Sequence, residues 1–276
     1  MMIAVISFSL LLPLAAAVSS RSVMPELGPH QDATLGCEYG DLMKIESGGK
    51  CVFPSGLNGG SAVLIGDSHA GQLTEAFIPA SHELGLDAVV AVKGNNPYLF
   101  MTWDQVQNEA SYPFVSIQRI VEINPKVVVI AQSSYSREVP SGITWSDQFY
   151  PILEILENHK IPVVVVAESV VVNIRPQECS VAQVMLGFCN AEKSLNRFDL
   201  EKGRSIRVKQ EEIAVGKVNN AVILDTLPVL CPTQICSTRR DGEWWWRDDA
   251  HISITASKAL TPLLTNTMRS AIKLTS

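Results

Sequence analysis

Five short runs dense in Val, Ile and Ala mark the chain at 62–65, 88–92, 126–131, 162–167 and 221–224. They carry few polar interruptions, which is the pattern of strands covered on both faces rather than on one. Between them lie amphipathic stretches near 70–84, 113–123, 146–158 and 204–216, and one final stretch over 253–272, each predicting a helix. Alternation of strand and helix implies a parallel sheet with crossover helices on both sides. The expected fold is therefore a three-layer α/β/α domain with a flavodoxin-like five-stranded parallel sheet. In such sheets ligands bind at the carboxyl ends of the strands, so the turns after these runs are where chemistry is to be sought.

Outside that pattern the chain reads differently. Residues 23–57 are rich in Gly and Pro and hold no long periodic segment, and 173–199 reads as an insertion after the fourth strand. The first eighteen residues are apolar apart from two serines and Pro13, and end near Ala15-Ala16-Ala17, then Ser19, Ser20 and Arg21. This is a signal-peptide core with a small-residue cleavage region. No Lys or Arg precedes it within 1–3, so the remnant of a membrane helix is the rival reading. Either places the remainder of the chain beyond a membrane, exported or tethered. The organisation expected is 1–20 leader, 21–60 extension and 61–276 catalytic domain.

Composition narrows the function classes. A 46% hydrophobic and 18% charged chain buries a substantial core, and 22 basic against 28 acidic residues give a net charge of −6. That balance lacks the clustered basic charge of a nucleic-acid surface. Six cysteines (Cys37, Cys51, Cys179, Cys189, Cys231 and Cys236) permit fifteen pairings in principle. Taken in order they form three local pairs. Zinc is the competing use, but no pair has Cys-x-x-Cys spacing, and disulfides in an oxidising compartment account better for them.

Two motifs carry chemistry. Gly66-Asp67-Ser68-His69 directly follows the first apolar run and opens the first helix. A serine there projects from the carboxyl edge, beside helix N–H groups that stabilise a forming anion. Taken alone, it reads first as the helix N-cap. The glycine spacing, Gly66-x-Ser68-x-x-Gly71, is one place too long for the nucleophile elbow of an α/β-hydrolase. Near the other end, Trp246-Arg247-Asp248-Asp249-Ala250-His251 precedes the last helix. An Asp three residues before a His at such a turn can accept the imidazole Nδ1–H, freeing Nε2 to face a serine. A solvated loop with two Asp and a His is the bland alternative.

Together the two motifs resemble the SGNH (GDSL-type) hydrolase superfamily. Val63 to Ala70 and Arg247 to Ser253 are similar to the SGNH branch fused behind membrane acyltransferase-3 domains that O-acetylate bacterial surface polysaccharides, as are the three cysteine pairs. The resemblance runs from about Cys37 to Ile272 and does not extend to the membrane domain. It implies Ser68 as nucleophile, His251 as base and Asp248 as its orienting acid, acting through an acyl-enzyme. Of the family's oxyanion positions, Gly94 follows the second run in Lys93-Gly94-Asn95-Asn96-Pro97. After the third run Ala131-Gln132-Ser133-Ser134 departs from Gly-x-Asn-Asp, leaving Gln132 or Asn95 as the side-chain donor.

The activity implied is O-acetyl transfer to a cell-envelope polysaccharide, outside the cytoplasm, with a membrane acyltransferase domain as a partner and no cofactor. A freestanding carbohydrate O-acetyl esterase, and an inactive module binding glycan or a partner, are the other readings. Trp244-Trp245-Trp246 reads as a sugar-stacking platform or as packing alternating between core and edge. Arg175 reads as a substrate contact or a solvated loop residue, and His69 as a site-lining or solvated helix-start residue. His30, His82 and His159 are expected at the surface, without metal-ligand spacing.

Overall fold

A computed structural model of the chain describes residues 24–37, 49–94, 112–133 and 142–275. Strands β1 (Val52–Phe53), β2 (Ser61–Gly66), β3 (Asp87–Val92), β4 (Val127–Ala131), β5 (Val163–Val166) and β7 (Ala221–Leu224) form one sheet in the order β1-β3-β2-β4-β5-β7. All neighbours are parallel except β1, which pairs antiparallel with β3 at the edge. The five apolar runs thus form the parallel core of the sheet in flavodoxin-like order. The short sixth strand comes from the segment read as loop, because two residues carry no period to detect.

Helices cover both faces. On one side α3 (Thr74–Glu83) and α10 (Thr261–Leu274) bury Phe77, Leu264 and Met268 against Leu64, Val90, Val129 and Val164. On the other, α4 (Tyr112–Ile123), α5 (Trp145–Asn158) and α7 (Arg197–Val215) bury Ile117, Phe149, Ile152 and Ala214 against Val63, Ile65, Val128 and Val163. Successive strand residues point to opposite faces. While Ala221, Val222 and Ile223 of the outer strand β7 are partly exposed, both faces are covered along the inner strands, which is why those runs are continuously apolar. Each such side chain contributes roughly 1.5–3 kcal/mol by its burial.

Helix boundaries shift where local chemistry intervenes. The stretch read over 70–84 is two helices, α2 (Ser68–Gly71) and α3, meeting at Gln72 and Leu73. The stretch over 253–272 is also two, α9 (Ile254–Ala259) and α10, since Pro262 lacks an N–H and starts a new first turn. Helix α7 begins before 204, where the Asn196 side chain accepts the Phe198 N–H. Short helices α1 (Gln31–Leu35), α6 (Val181–Met185) and α8 (Leu227–Leu230) lie in the connecting segments.

Outside the main sheet, β6 (Ser194–Asn196) pairs with β8 (Ile235–Ser237), and β9 (Arg239–Arg240) with β10 (Glu243–Trp244). Trp244 and Trp246 are buried and Trp245 is partly exposed under the Arg240 guanidinium, so the three tryptophans alternate as packing. The cysteines pair in sequence order, Cys37–Cys51, Cys179–Cys189 and Cys231–Cys236, with Cα separations of 5.6, 5.7 and 5.0 Å. Among the described residues no helix is long and apolar enough to cross a membrane, and the leader lies outside them.

Candidate active site

The turn after β2 is built by a glycine and an aspartate. Gly66 has φ of 141°, and a Cβ there would overlap the Ala131 carbonyl of β4. Asp67, not Ser68, is the N-cap of α2: its Oδ1 accepts the His69 N–H at 2.8 Å. Its Oδ2 accepts the Ser133 N–H at 2.8 Å, tying this turn to the end of β4. Asp67 is thereby buried and satisfied, and the Ser68 hydroxyl is released from capping.

The second motif forms a closed loop. Trp246 and Ile252 make an antiparallel bridge, and the Arg247 N–H donates to the His251 carbonyl at 2.8 Å. Inside it, Asp248 Oδ1 accepts the N–H groups of Ala250 and His251 at 3.1 and 2.9 Å, together with His251 Nδ1 at 2.7 Å. Asp248 Oδ2 accepts Arg247 Nε at 3.2 Å. The other imidazole nitrogen, His251 Nε2, lies 2.9 Å from Ser68 Oγ. Residues 183 positions apart therefore form one chain of hydrogen bonds at the carboxyl edge of the sheet, partly open to solvent.

Electrostatics within this chain run one way. Burial pushes the Asp248 carboxyl up, but the His251 hydrogen bond and charge, the Ala250 N–H and Arg247 outweigh it and hold it well below the usual carboxylate range. A carboxylate in that state accepts and orients Nδ1–H without taking the proton.

His69 is not solvated. It is buried, with its ring edge-on to His251 at 5.2 Å between centroids, and its Nδ1 is 3.9 Å from Glu168 Oε1. Burial, helped by the nearby His251 charge, lowers its pKa to about 3, so the ring is neutral. His30, expected at the surface, is also buried, joined to Glu75 Oε2 at 2.5 Å and to the Ile252 carbonyl at 3.0 Å. His82 is half-buried on the Phe53 carbonyl, while His159 is exposed.

The oxyanion candidates are distributed unevenly. Gly94 is exposed just past β3, whose last residue, Val92, is in register with Gly66. Asn95 lies outside the described residues. Gln132 follows β4, but its side chain is buried and lines a small cavity with His69, Gln72 and Ser169, its Oε1 without a hydrogen-bond partner. Arg175 is exposed, 3.5 Å from Asp249 and 3.4 Å from Glu178.

The sequence pattern gave no sign of Gln72. Its Oε1 accepts the Ile252 N–H at 2.7 Å and its Nε2 donates to Ser169 Oγ at 3.3 Å, so it braces the His251 loop from the end of α2. A buried acid, Glu211, was equally hidden; it accepts the Glu168 N–H at 2.9 Å. The only local signal for it is an acid on the otherwise core-facing side of α7.

Comparison with known proteins agrees with this architecture. The profile of the family described as "SGNH domain (fused to AT3 domains)" matches residues 36–266. No curated protein sequence matches the chain. Among solved structures, the chain is similar to the periplasmic domain of a lipopolysaccharide acetyltransferase from Salmonella ser. Paratyphi A. The TM-score is 0.58 with 17% identity, over 92% of this chain and 99% of that one. A GDSL-like lipase of Bacteroides thetaiotaomicron scores 0.43 at 11% identity, over 86% and 98% of the two chains. An acetyl xylan esterase scores 0.44 at 14% identity, over 76% and 98%. The last two are too distant to bear on the fold. With most of its length matched by the family profile, this chain belongs to the SGNH domain family that occurs fused to AT3 domains.

Proposed function

We propose that this chain is an exported, extracytoplasmic serine acyltransferase domain that moves O-acetyl groups onto a cell-envelope polysaccharide through an acetyl-Ser68 intermediate. The observation that carries this reading is the hydrogen-bonded series Ser68 Oγ, His251 Nε2, His251 Nδ1, Asp248 Oδ1, at 2.9 and 2.7 Å. The three disulfides favour an oxidising compartment, and the family profile favours a membrane acyltransferase partner that delivers the acetyl group.

In this mechanism His251 Nε2 takes the hydroxyl proton as Ser68 Oγ attacks the ester carbonyl. Negative charge gathers on the carbonyl oxygen, opposite the backbone N–H groups of Ser68 and Gly94. Collapse expels the donor alcohol, which receives the proton from the imidazolium and leaves acetyl-Ser68. An acceptor sugar hydroxyl then gives its proton to His251 and attacks the acetyl carbon, regenerating Ser68. Asp248 keeps Nδ1 protonated and the ring in place through both halves.

The test is intact-mass analysis after incubation with p-nitrophenyl acetate. One acetyl group should appear on the chain and be absent in Ser68→Ala. Adding polysaccharide should then move that acetyl group to the glycan. Release only as free acetate would identify an esterase instead, and no adduct at all would leave a binding module.

A further inference from the structure

The loop that carries Asp248 and His251 also forms one wall of a cavity of about 510 Å³, within the size range of small-ligand sites. Asp249 faces it, and the Asp249 carbonyl accepts the Val172 N–H at 2.8 Å, which lays Asn173 and Arg175 along the same wall. The 179–189 segment contributes Gln183 and Phe188 to the lining, and neighbouring Asn190 joins them. Phe188 is 72% exposed, an unusual position for a large aromatic. The Cys179–Cys189 disulfide closes the loop beside it and so limits the movement of the backbone that carries the ring.

From these residues we propose that the cavity is a subsite for a pyranose residue of the acceptor glycan, resting on the acyltransfer function proposed for Ser68. Phe188 offers a flat apolar surface to the C–H face of the sugar. Asp249 and Arg175 are half-exposed and joined only at 3.5 Å, so each keeps capacity for a ligand hydroxyl. Asn190 adds a planar amide that both donates and accepts, and Gln183, whose Oε1 already accepts the Ser180 N–H at 2.8 Å, adds an amide donor.

The charge pattern decides between ligand classes. Arg175 and Lys193 are balanced by Asp249 and Glu178, so the lining favours neither an anion nor a cation. A neutral, hydroxyl-rich ligand uses both signs, whereas a phosphate would face two carboxylates. A second cavity of about 510 Å³ shares Asn173 with the first as a lining residue and runs along α7 past Arg204 and Arg207.

The experiment uses the full chain carrying Ser68→Ala, which binds without turnover, on an array of O-deacetylated bacterial cell-envelope oligosaccharides. Binding to at least one class of oligosaccharide is expected. Adding Phe188→Ala should weaken it about tenfold and Asp249→Asn severalfold. Leu186→Ala, equally exposed on the same loop but outside the cavity, should stay within about twofold. No retained glycan, or equal effects at Phe188 and Leu186, overturns the subsite. Release of p-nitrophenol from p-nitrophenyl acetate by the chain with Ser68 intact reports separately on the serine mechanism. Activity without glycan binding removes the subsite alone; glycan binding without activity removes the mechanism alone.

Discussion

His30 Nε2 lies 3.0 Å from the carbonyl oxygen of Ile252, joining positions 222 residues apart. The Ile252 N–H is taken by Gln72 Oε1 at 2.7 Å, so the residue after His251 is gripped on both sides. One grip comes from the N-terminal segment and the other from the end of the helix that Ser68 opens. In the function proposed for Ser68, His251 is the general base, and holding it within hydrogen-bond reach of the hydroxyl calls for such bracing.

His30→Ala should therefore cost about 2 kcal/mol of stability, the order of leaving buried partners unsatisfied. Turnover of p-nitrophenyl acetate by the molecules that remain folded should fall about tenfold. Urea denaturation and single-turnover kinetics on the same preparation check this. Turnover preserved alongside a lower midpoint would assign His30 to the fold alone.

Ser68→Ala should abolish the acyl-enzyme, and Asp248→Asn should reduce kcat by roughly 10³–10⁴ while the fold is retained, because an amide no longer selects the right imidazole tautomer. Asp249→Asn touches the cavity rather than His251, so its effect should fall on KM for a glycan acceptor. Steady-state kinetics with acceptor varied distinguishes the two. Equal losses of kcat at Asp248 and Asp249 would mean that the orienting acid has been misassigned.

His69 gives a stability signature on the acid side. In the fold it resists protonation until about pH 3, whereas an unfolded histidine takes a proton near 6.5. Between those values the unfolded state binds more protons, so stability must fall as pH is lowered through that window. Its removal in His69→Gln should flatten this decline. Urea midpoints measured at pH 4.5 and 7.5 should differ less in the variant than in the parent chain.

Glu211 acts in the opposite sense. Burial pushes its carboxyl up to about 8 from an ordinary 4.5, with the neighbouring Glu168 adding to the rise, against the Glu168 N–H and two arginines. From pH 4.5 to 8 the folded state therefore holds a proton that the unfolded state has lost, and stability falls as pH rises. Glu211→Gln keeps an oxygen for the Glu168 N–H but cannot ionise. The variant should gain on the parent as pH increases from 5 to 8, read as a growing difference in melting temperature. A constant difference across that range would contradict a proton held at this site.

Much of the fold was legible because it rests on local periodicity. Runs such as Val127–Ala131 and Val163–Val166 are apolar at every position, since each successive side chain meets a helix layer on one face or the other. The strand β1 was not legible: Val52 and Phe53 are in the sheet because Val89 and Ala88 offer them a partner. The break at Gln72 was hidden in the same way, whereas the one at Leu260 has a local mark in Pro262. An amphipathic stretch predicts helix without revealing where a turn must open to let a side chain reach its partner.

The site divides along the same line. Ser68, Asp248 and His251 could be singled out because each sits in a short motif whose spacing reflects contacts within a few residues, such as Asp248 Oδ1 to the His251 N–H. Sequence determined the runs of strand and helix, the order of the cysteines and these two motifs, all products of local spacing. Tertiary structure alone decided that Asp67 ties its turn to the Ser133 N–H, that His30 and His69 are buried, and that Asp249 lines a cavity with Phe188. Those outcomes depend on which distant backbone or side chain arrives beside a residue. Burial and long-range hydrogen bonds are properties of the packed chain, and no window along the sequence contains both partners.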